Sequence, residues 1–319
     1  MTLKRKRDLV LRFELPEFRD EFEDFPHRML FRSTRQRRCD MVRDFLQMGA
    51  NVNTRNADGF SCLILASLNG DIDTVCELLK DENVDVNAKN SRCNASLHVA
   101  CQKGHVSVVR ELLKHKSINV NIKDNNCNTG LIVAITAGYN DIVLELLKHK
   151  RVDVNATNRG GRTGLITAVL HGNVNVVSAL LKHKDVDVNI KDDNGETCLS
   201  RACSLGRINI VRELLKHEDL DVNVTDRNGC TPLIVACMHG KFKMVCELLN
   251  HDCVDVNAKN HFGNTSFDLA QRKGFIKITS ELVNRAGADV STTETFYSRK
   301  MSDRYLRLER ERCAILSSL

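Results

Sequence analysis

Long apolar runs are missing from this chain of 319 residues. Nothing approaches the roughly 20 consecutive apolar residues of a membrane-spanning helix. The opening Met1-Thr2-Leu3-Lys4-Arg5-Lys6-Arg7 carries no apolar core of a secretory signal. These absences lead us to expect a cytoplasmic or nuclear protein. No C-x-x-C occurs, and the 13 cysteines are an odd number. Disulfide frameworks and zinc sites ask for paired spacings, so neither is expected. The sequence also has no P-loop, no dinucleotide glycine fingerprint, no H-E-x-x-H and no nucleophile elbow. An enzyme, a metal or a cofactor therefore has nothing in the chain to support it.

Charge of one sign is also scarce once it is located. The net charge is +6, but residues 41–290 hold 30 basic and 29 acidic side chains. The excess sits at the two ends. A near-neutral body is not the electrostatic footprint of a nucleic-acid binder, and none is expected as a partner.

What the chain does have is a period. Val-Asn recurs every 34 residues, at Val52-Asn53, Val86-Asn87, Val120-Asn121, Val154-Asn155, Val188-Asn189, Val222-Asn223 and Val256-Asn257, and Val290 falls in register. A glycine keeps the same interval at Gly70, Gly104, Gly138, Gly172, Gly206, Gly240 and Gly274. Periods of this size mark stacked repeats, in which each unit buries its apolar face only against its neighbours.

One repeat, residues 224–257, can be read locally. Asp226-Arg227-Asn228-Gly229 is a turn. Thr231 caps a helix with Pro232 at its first position, where a missing N–H costs nothing. Leu233, Ala236 and Cys237 make one buried face, and Gly240 ends the helix. A second helix presents Val245, Leu248 and Leu249 inward, and an extended run leads to Val256-Asn257. Cysteines in small-apolar columns, Cys101, Cys203 and Cys237 in one and Cys76 and Cys246 in another, read as buried thiols that behave as small hydrophobes. His115, His149, His183, His217 and His251 also keep the period. Stacked helices stand roughly 10 Å apart, whereas a zinc ion needs its ligands within about 2 Å. They read as loop histidines copied with the repeat.

The pattern D-x-x-G-x-T-P-L-x-x-A-x-x-x-G, followed by V-x-x-L-L and V-N and best kept in Asn228 to Ala236, resembles ankyrin repeats over residues 30–290. The resemblance implies an all-α solenoid of helix-turn-helix units joined by hairpin loops. In that solenoid the first helices line a concave face and the second helices form the back. About eight repeats are expected, the first a degenerate cap at about residues 30–53 with Gln36 in place of the inter-helix glycine. The family's Thr-Pro-Leu-His is complete nowhere, and its histidine survives as His98, which in the family ties neighbouring repeats by hydrogen bonds. Gly130 and Gly164 stand where the family has proline and cost backbone entropy. The residue in excess of the common 33 is expected in the loop after the second helix, for example between Lys182 and Asn189. The resemblance also implies asparagines of the kind some cells hydroxylate, at Asn87, Asn155, Asn189, Asn223 and Asn257; the alternative is an asparagine that closes a turn through its own side chain.

The ends stand apart. Residues 1–29 form a basic, then acidic-aromatic extension, with Leu11, Leu15, Phe18, Phe22 and Phe25 at helical spacing. It reads as a capping helix, or as a peptide that docks in a partner's groove. Lys4 to Arg7 matches a nuclear import signal. Residues 291–319 form a polar link and an amphipathic helix carrying Met301, Tyr305, Leu308 and Ile315, which covers the last repeat or recruits a second partner.

Function is then expected in the columns that vary between repeats. Two lie at the end of the first helix and include Gln102, Thr136, Leu170, Ser204 and Met238 in one, and His171, Leu205 and His239 in the next. Leu170, Leu205 and Met238, if exposed, would form an apolar patch. Hairpin tips vary as well, at Arg159, Asp193 and Arg227 among others. The leading expectation is a non-enzymatic, monomeric module that binds a protein partner through its concave face and hairpin tips. The alternative is a regulatory or transcription-associated adapter whose ends recruit a second partner.

Overall fold

The computed structural model describes residues 25–286 and builds them from sixteen helices, with only isolated β-bridges between hairpin arms at Arg55–Ser61 and Lys89–Ala95. The chain divides into two compact units, Met1–Asp193 and Asn194–Leu319.

The first unit holds five helix pairs: α1 (Phe25–Arg35) with α2 (Cys39–Gln47), α3 (Cys62–Asn69) with α4 (Ile72–Leu79), α5 (Ser96–Lys103) with α6 (Val106–Lys114), α7 (Gly130–Ala137) with α8 (Asn140–Leu147), and α9 (Gly164–His171) with α10 (Val174–Leu181). The second unit holds α11 (Cys198–Leu205) with α12 (Ile208–Leu214), α13 (Pro232–Met238) with α14 (Phe242–Leu248), and α15 (Ser266–Arg272) with α16 (Ile276–Ala286). Within each unit first helices pack on first helices and second helices on second helices. The first pair starts at Phe25, ahead of residue 30, and its ring meets Phe45 edge-on at 6.3 Å between centroids. The rest of the N-terminal aromatic stripe, Lys4 to Arg7 and the stripe from Met301 to Ile315 lie outside the described residues.

The helix starts follow the local chemistry. The hydroxyls of Ser61, Thr129, Thr163, Thr197, Thr231 and Thr265 each accept the N–H three residues on, satisfying one donor that a helix start leaves open. Ala95 has no such oxygen; there the Nδ1 of His98 accepts the Ala95 N–H, and its Nε2 lies 2.9 Å from the Ile122 carbonyl. The position after the cap is always small because the neighbouring helix is close. A Cβ on Gly130 would sit 3.2 Å from Leu97 Cγ, and one on Gly164 would sit 3.1 Å from Ile135 Cδ1. The entropy these glycines cost is offset by close helix approach.

Two expectations are corrected. The residue that takes the left-handed backbone between α1 and α2 is Arg37, with φ 56°, rather than Gln36. The loop after α2 is one residue shorter than its later counterparts, so the 34-residue register does not reach back across it. The asparagine of Val-Asn does not close its own turn. The side-chain oxygen two residues earlier does that, as Asp85 accepts the Asn87 N–H, Asn119 the Asn121 N–H and Asp153 the Asn155 N–H. The asparagine amide instead bridges to the next repeat's loop. Asn121 Nδ2 donates to the Arg151 carbonyl at 2.7 Å, and its Oδ1 accepts the Asp153 N–H at 2.8 Å. Asn53, Asn87, Asn155 and Asn223 make the same two bonds.

A second ladder runs through the hairpins. Arg55 donates to the Lys89 carbonyl, Lys89 to that of Lys123, and Lys123 to that of Thr157. The periodic histidines act locally. Each Nδ1 of His115, His149, His183, His217 and His251 accepts the N–H two residues on and closes the loop after its helix. The core is Val/Leu/Ile with small residues, and Ala66, Ala100, Ala134, Ala168, Ala202, Ala236 and Ala270 are fully buried. Burial pushes the Cys62 thiol up to about 11 and that of Cys237 up to about 12.

Replacing Asn121 by Ala removes both bonds of one bridge. The expected loss is about 1–2 kcal/mol, at roughly 1 kcal/mol for each net hydrogen bond, read as a lower urea midpoint at unchanged slope. Burial holds the His98 imidazole below its ordinary 6.5, against hydrogen bonds to the Asn128 and Ile122 carbonyls. Its contribution to stability is therefore complete above that value and is lost as pH falls through the lower folded value, because only the unfolded chain takes up the proton readily. Urea midpoints between pH 7.5 and 5 should fall more steeply for the natural chain than for His98→Gln.

Candidate protein-binding face

The variable columns end up where the chain meets solvent. Gln102, Thr136 and His171 in the first unit are exposed, as are Leu205, Met238 and His239 in the second. Leu170 is half-buried and belongs to the first unit, so the exposed apolar pair is Leu205 and Met238, 44% and 38% exposed. Ser204 is half-buried too. Its hydroxyl donates to the Arg201 carbonyl, and that of Thr136 to the Ile132 carbonyl, so both are already engaged by their own helices. Arg201 makes a 2.6 Å ion pair with Glu196 beside Ser204.

The hairpin tips combine a fixed backbone with exposed side chains. The Arg159 N–H donates to the Asn126 carbonyl and the Asp193 N–H to that of Gly160, one hairpin back. A Cβ on Gly195 would lie 2.8 Å from the Arg227 nitrogen, so the turn before that tip leaves room for hydrogen only. The side chains of Arg159, Asp193 and Arg227 are exposed. Cys93 and Cys127 take the same left-handed hairpin position, with φ 58° and 59°, where other repeats have glycine.

The second helices carry a different chemistry. Arg43 meets Glu77 at 3.1 Å, Arg110 meets Glu145 at 2.9 Å and Arg212 meets Glu247 at 3.1 Å, each pair linking neighbouring repeats. Lys80 and Lys148 close on the same carboxylates from the C-terminal caps of those helices. The hydrogen bond from Arg110, then that from Lys148, holds the Glu145 carboxyl below the usual range, as Arg43 and Lys80 do for Glu77. These arginines are paired within the protein, whereas the ends of the first helices in the second unit leave large apolar side chains in water.

Comparing those columns does not find every exposed apolar residue. Phe262 at a hairpin tip is 75% exposed, and Phe242 and Ile276 at the starts of α14 and α16 are 38% and 50% exposed. Phe262 stands in a column otherwise made of Asp58, Arg92, Asn126, Gly160, Asn194 and Asn228, so comparing that column would have found it. Phe242 and Ile276 share theirs with half-buried Ile72, Val106, Asn140, Val174 and Ile208, and there Asn140 is the one polar sign of an edge position. Another unforeseen feature is ring packing across repeats. A Cβ on Gly104 would sit 2.5 Å from the Tyr139 ring, so the inter-helix glycine provides both a left-handed turn and a seat for the next repeat's side chain.

Among the described residues no helix is long and apolar enough to cross a membrane, and no three His, Cys, Asp or Glu side chains group as metal ligands. A family model described as ankyrin repeats (3 copies) matches residues 29–124, 63–158, 131–226 and 218–294. The solved ankyrin repeat domain of Bcl-3, described as a unique member of the IkappaB protein family, is similar in fold. It has a TM-score of 0.64 and 24% identity, with 70% of this chain and 99% of that one covered. An ankyrin repeat domain from Acinetobacter baumannii AYE is 30% identical with a TM-score of 0.55, over 59% of this chain and 96% of that one. No curated protein is matched by sequence.

Glutamate at Leu205 or Met238 should change stability by no more than about 0.5 kcal/mol, the range for surface sites. Glutamate at Val245, fully buried on α14, should abolish the cooperative melt of the second unit. Thermal denaturation followed by circular dichroism separates the two outcomes.

Proposed function

The chain belongs to the ankyrin-repeat family, and we propose that it is a non-enzymatic, monomeric module that grips a protein partner with the ends of its first helices and its hairpin tips. Ankyrin repeats generally mediate protein–protein interaction; the partner-contacting residues are our own assignment. One observation carries it. Columns that agree between repeats are buried, bridge repeats or close their own loops, while Gln102, His171, Leu205, Met238 and His239 vary and face solvent. Such positions are released from packing and are available for recognition.

The large exposed apolar side chains favour the second unit: Leu205, Met238, Phe242, Phe262, Ile276 and Val283 lie there, against Tyr139 and Leu144 in the first. Contiguous exposed apolar surface on a protein marks interaction sites, and a few such anchors supply most binding energy. A rigid repeat framework adds little ordering cost on binding. The near-neutral body supports a protein partner over nucleic acid. We place the protein in the cytoplasm or nucleus.

Affinity capture with the full chain, beside a Leu205→Glu/Met238→Glu variant of unchanged circular dichroism, tests the reading. A protein retained by the natural chain and lost by the variant is the expected result. Equal retention by both removes the first-helix ends from the site.

A further inference from the structure

The turns that join first to second helices in the second unit carry one sign of charge. We infer that they form a docking edge for an acidic peptide segment bearing apolar side chains. This rests on the reading of the chain as a protein-binding module and names the chemistry of its partner.

The three turns are Ser204 to Ile210, Met238 to Met244 and Arg272 to Ile278, and none contains Asp or Glu. Arg207, Lys243, Lys273 and Lys277 are exposed, and Lys241 is half-buried. Arg272 donates to the Asn264 side chain, an uncharged acceptor that leaves its positive charge in place. These turns supply no carboxylate of their own to the row, unlike the second helices, where glutamates pair the arginines. Exposed Leu205, Met238, Phe242 and Ile276 are interleaved with the cations.

The turns are continuous with one another. The Lys241 stem lies over Gly206, with its Cδ 3.6 Å from a Cβ placed there, and the Phe275 ring covers Gly240. Repeats packed roughly 10 Å apart make an edge of about 20 Å, which an extended segment of about six residues spans. Alternating apolar and acidic side chains on such a segment would meet apolar seats and cations in turn. The apolar side chains are partly set into the surface rather than projecting freely, which suits a peptide better than insertion into a lipid leaflet. The turns around the first unit's periodic glycines do not repeat the pattern: Gly70 is followed by Asp71 and Asp73 and Gly138 by Asp141, the turn at Gly104 has one lysine, Lys103, and the turn at Gly172 has no Lys or Arg.

The test is fluorescence anisotropy of the full chain with a labelled peptide alternating Glu with Phe and Leu, beside the same peptide with Gln for Glu. The acidic peptide should bind at least about tenfold more tightly, with affinity falling as NaCl rises, since charge complementarity sets the preference. Lys241→Glu/Lys243→Glu should weaken it by about tenfold or more, and Leu205→Ser/Met238→Ser should weaken both peptides. Leu205, Met238 and Lys243 are exposed and Lys241 is half-buried, and circular dichroism checks each variant. Equal affinity for the two peptides, or indifference to the lysine substitutions, overturns the inference. So does binding to vesicles containing phosphatidylserine with no binding to the acidic peptide. If capture in extract still depends on Leu205 and Met238 while the acidic preference is absent, this inference fails and the module reading stands. If neither is seen, both fail.

Discussion

Within each unit the described helix pairs bury their apolar surface against the pairs before and after them. A helix of seven or eight residues is too short to persist alone in water, and most of these helices have that length. Burial against neighbours is therefore the condition for any of them to exist. Stability in such an array is a sum of repeat terms and nearest-neighbour terms, and here the neighbour terms dominate. The fully buried alanine column and the small residues at the helix starts bring first helices close, and Val and Leu fill the space between second helices.

Close packing alone does not set how one repeat sits on the next, because apolar contacts are not directional. Polar columns provide the direction. Asn53, Asn87, Asn121, Asn155 and Asn223 bond both ways to the next loop, the Arg55–Lys89–Lys123 ladder ties successive hairpins, and Arg–Glu pairs tie successive second helices. Each spans about one repeat, and each satisfies backbone groups or charges that an irregular loop would otherwise leave to water. The long loops after the second helices are held in this way without strands.

A separation of roles between positions follows. Many of those committed to the neighbouring repeat, the buried alanines and the bridging asparagines among them, are the same from copy to copy, and much of the variation falls at the ends of the first helices, the inter-helix turns and the hairpin side chains. These carry the differences between repeats, and in the second unit they collect apolar and cationic side chains with no carboxylate in the turns.

The fold was legible in the sequence because its period, its caps and its glycines are local signals repeated many times, and repetition turns weak signals into a strong one. Thr231-Pro232, Gly240 and Val256-Asn257 each announce a cap, a helix end and a loop by rules that operate within a few residues. The exposed columns were legible for the same reason, since copies compared with one another separate constrained from unconstrained positions. What only the tertiary structure decided are distances between residues about 34 apart. The asparagine amide reaches forward instead of closing its own turn, Arg37 rather than Gln36 takes the left-handed position, and Gly104 seats the Tyr139 ring. Leu170 is half-buried while Leu205 and Met238 face water. Phe242 and Ile276 are exposed in a column whose other members are half-buried. Exposure is set by what the neighbouring repeat covers, and a residue's own sequence neighbourhood does not contain that information.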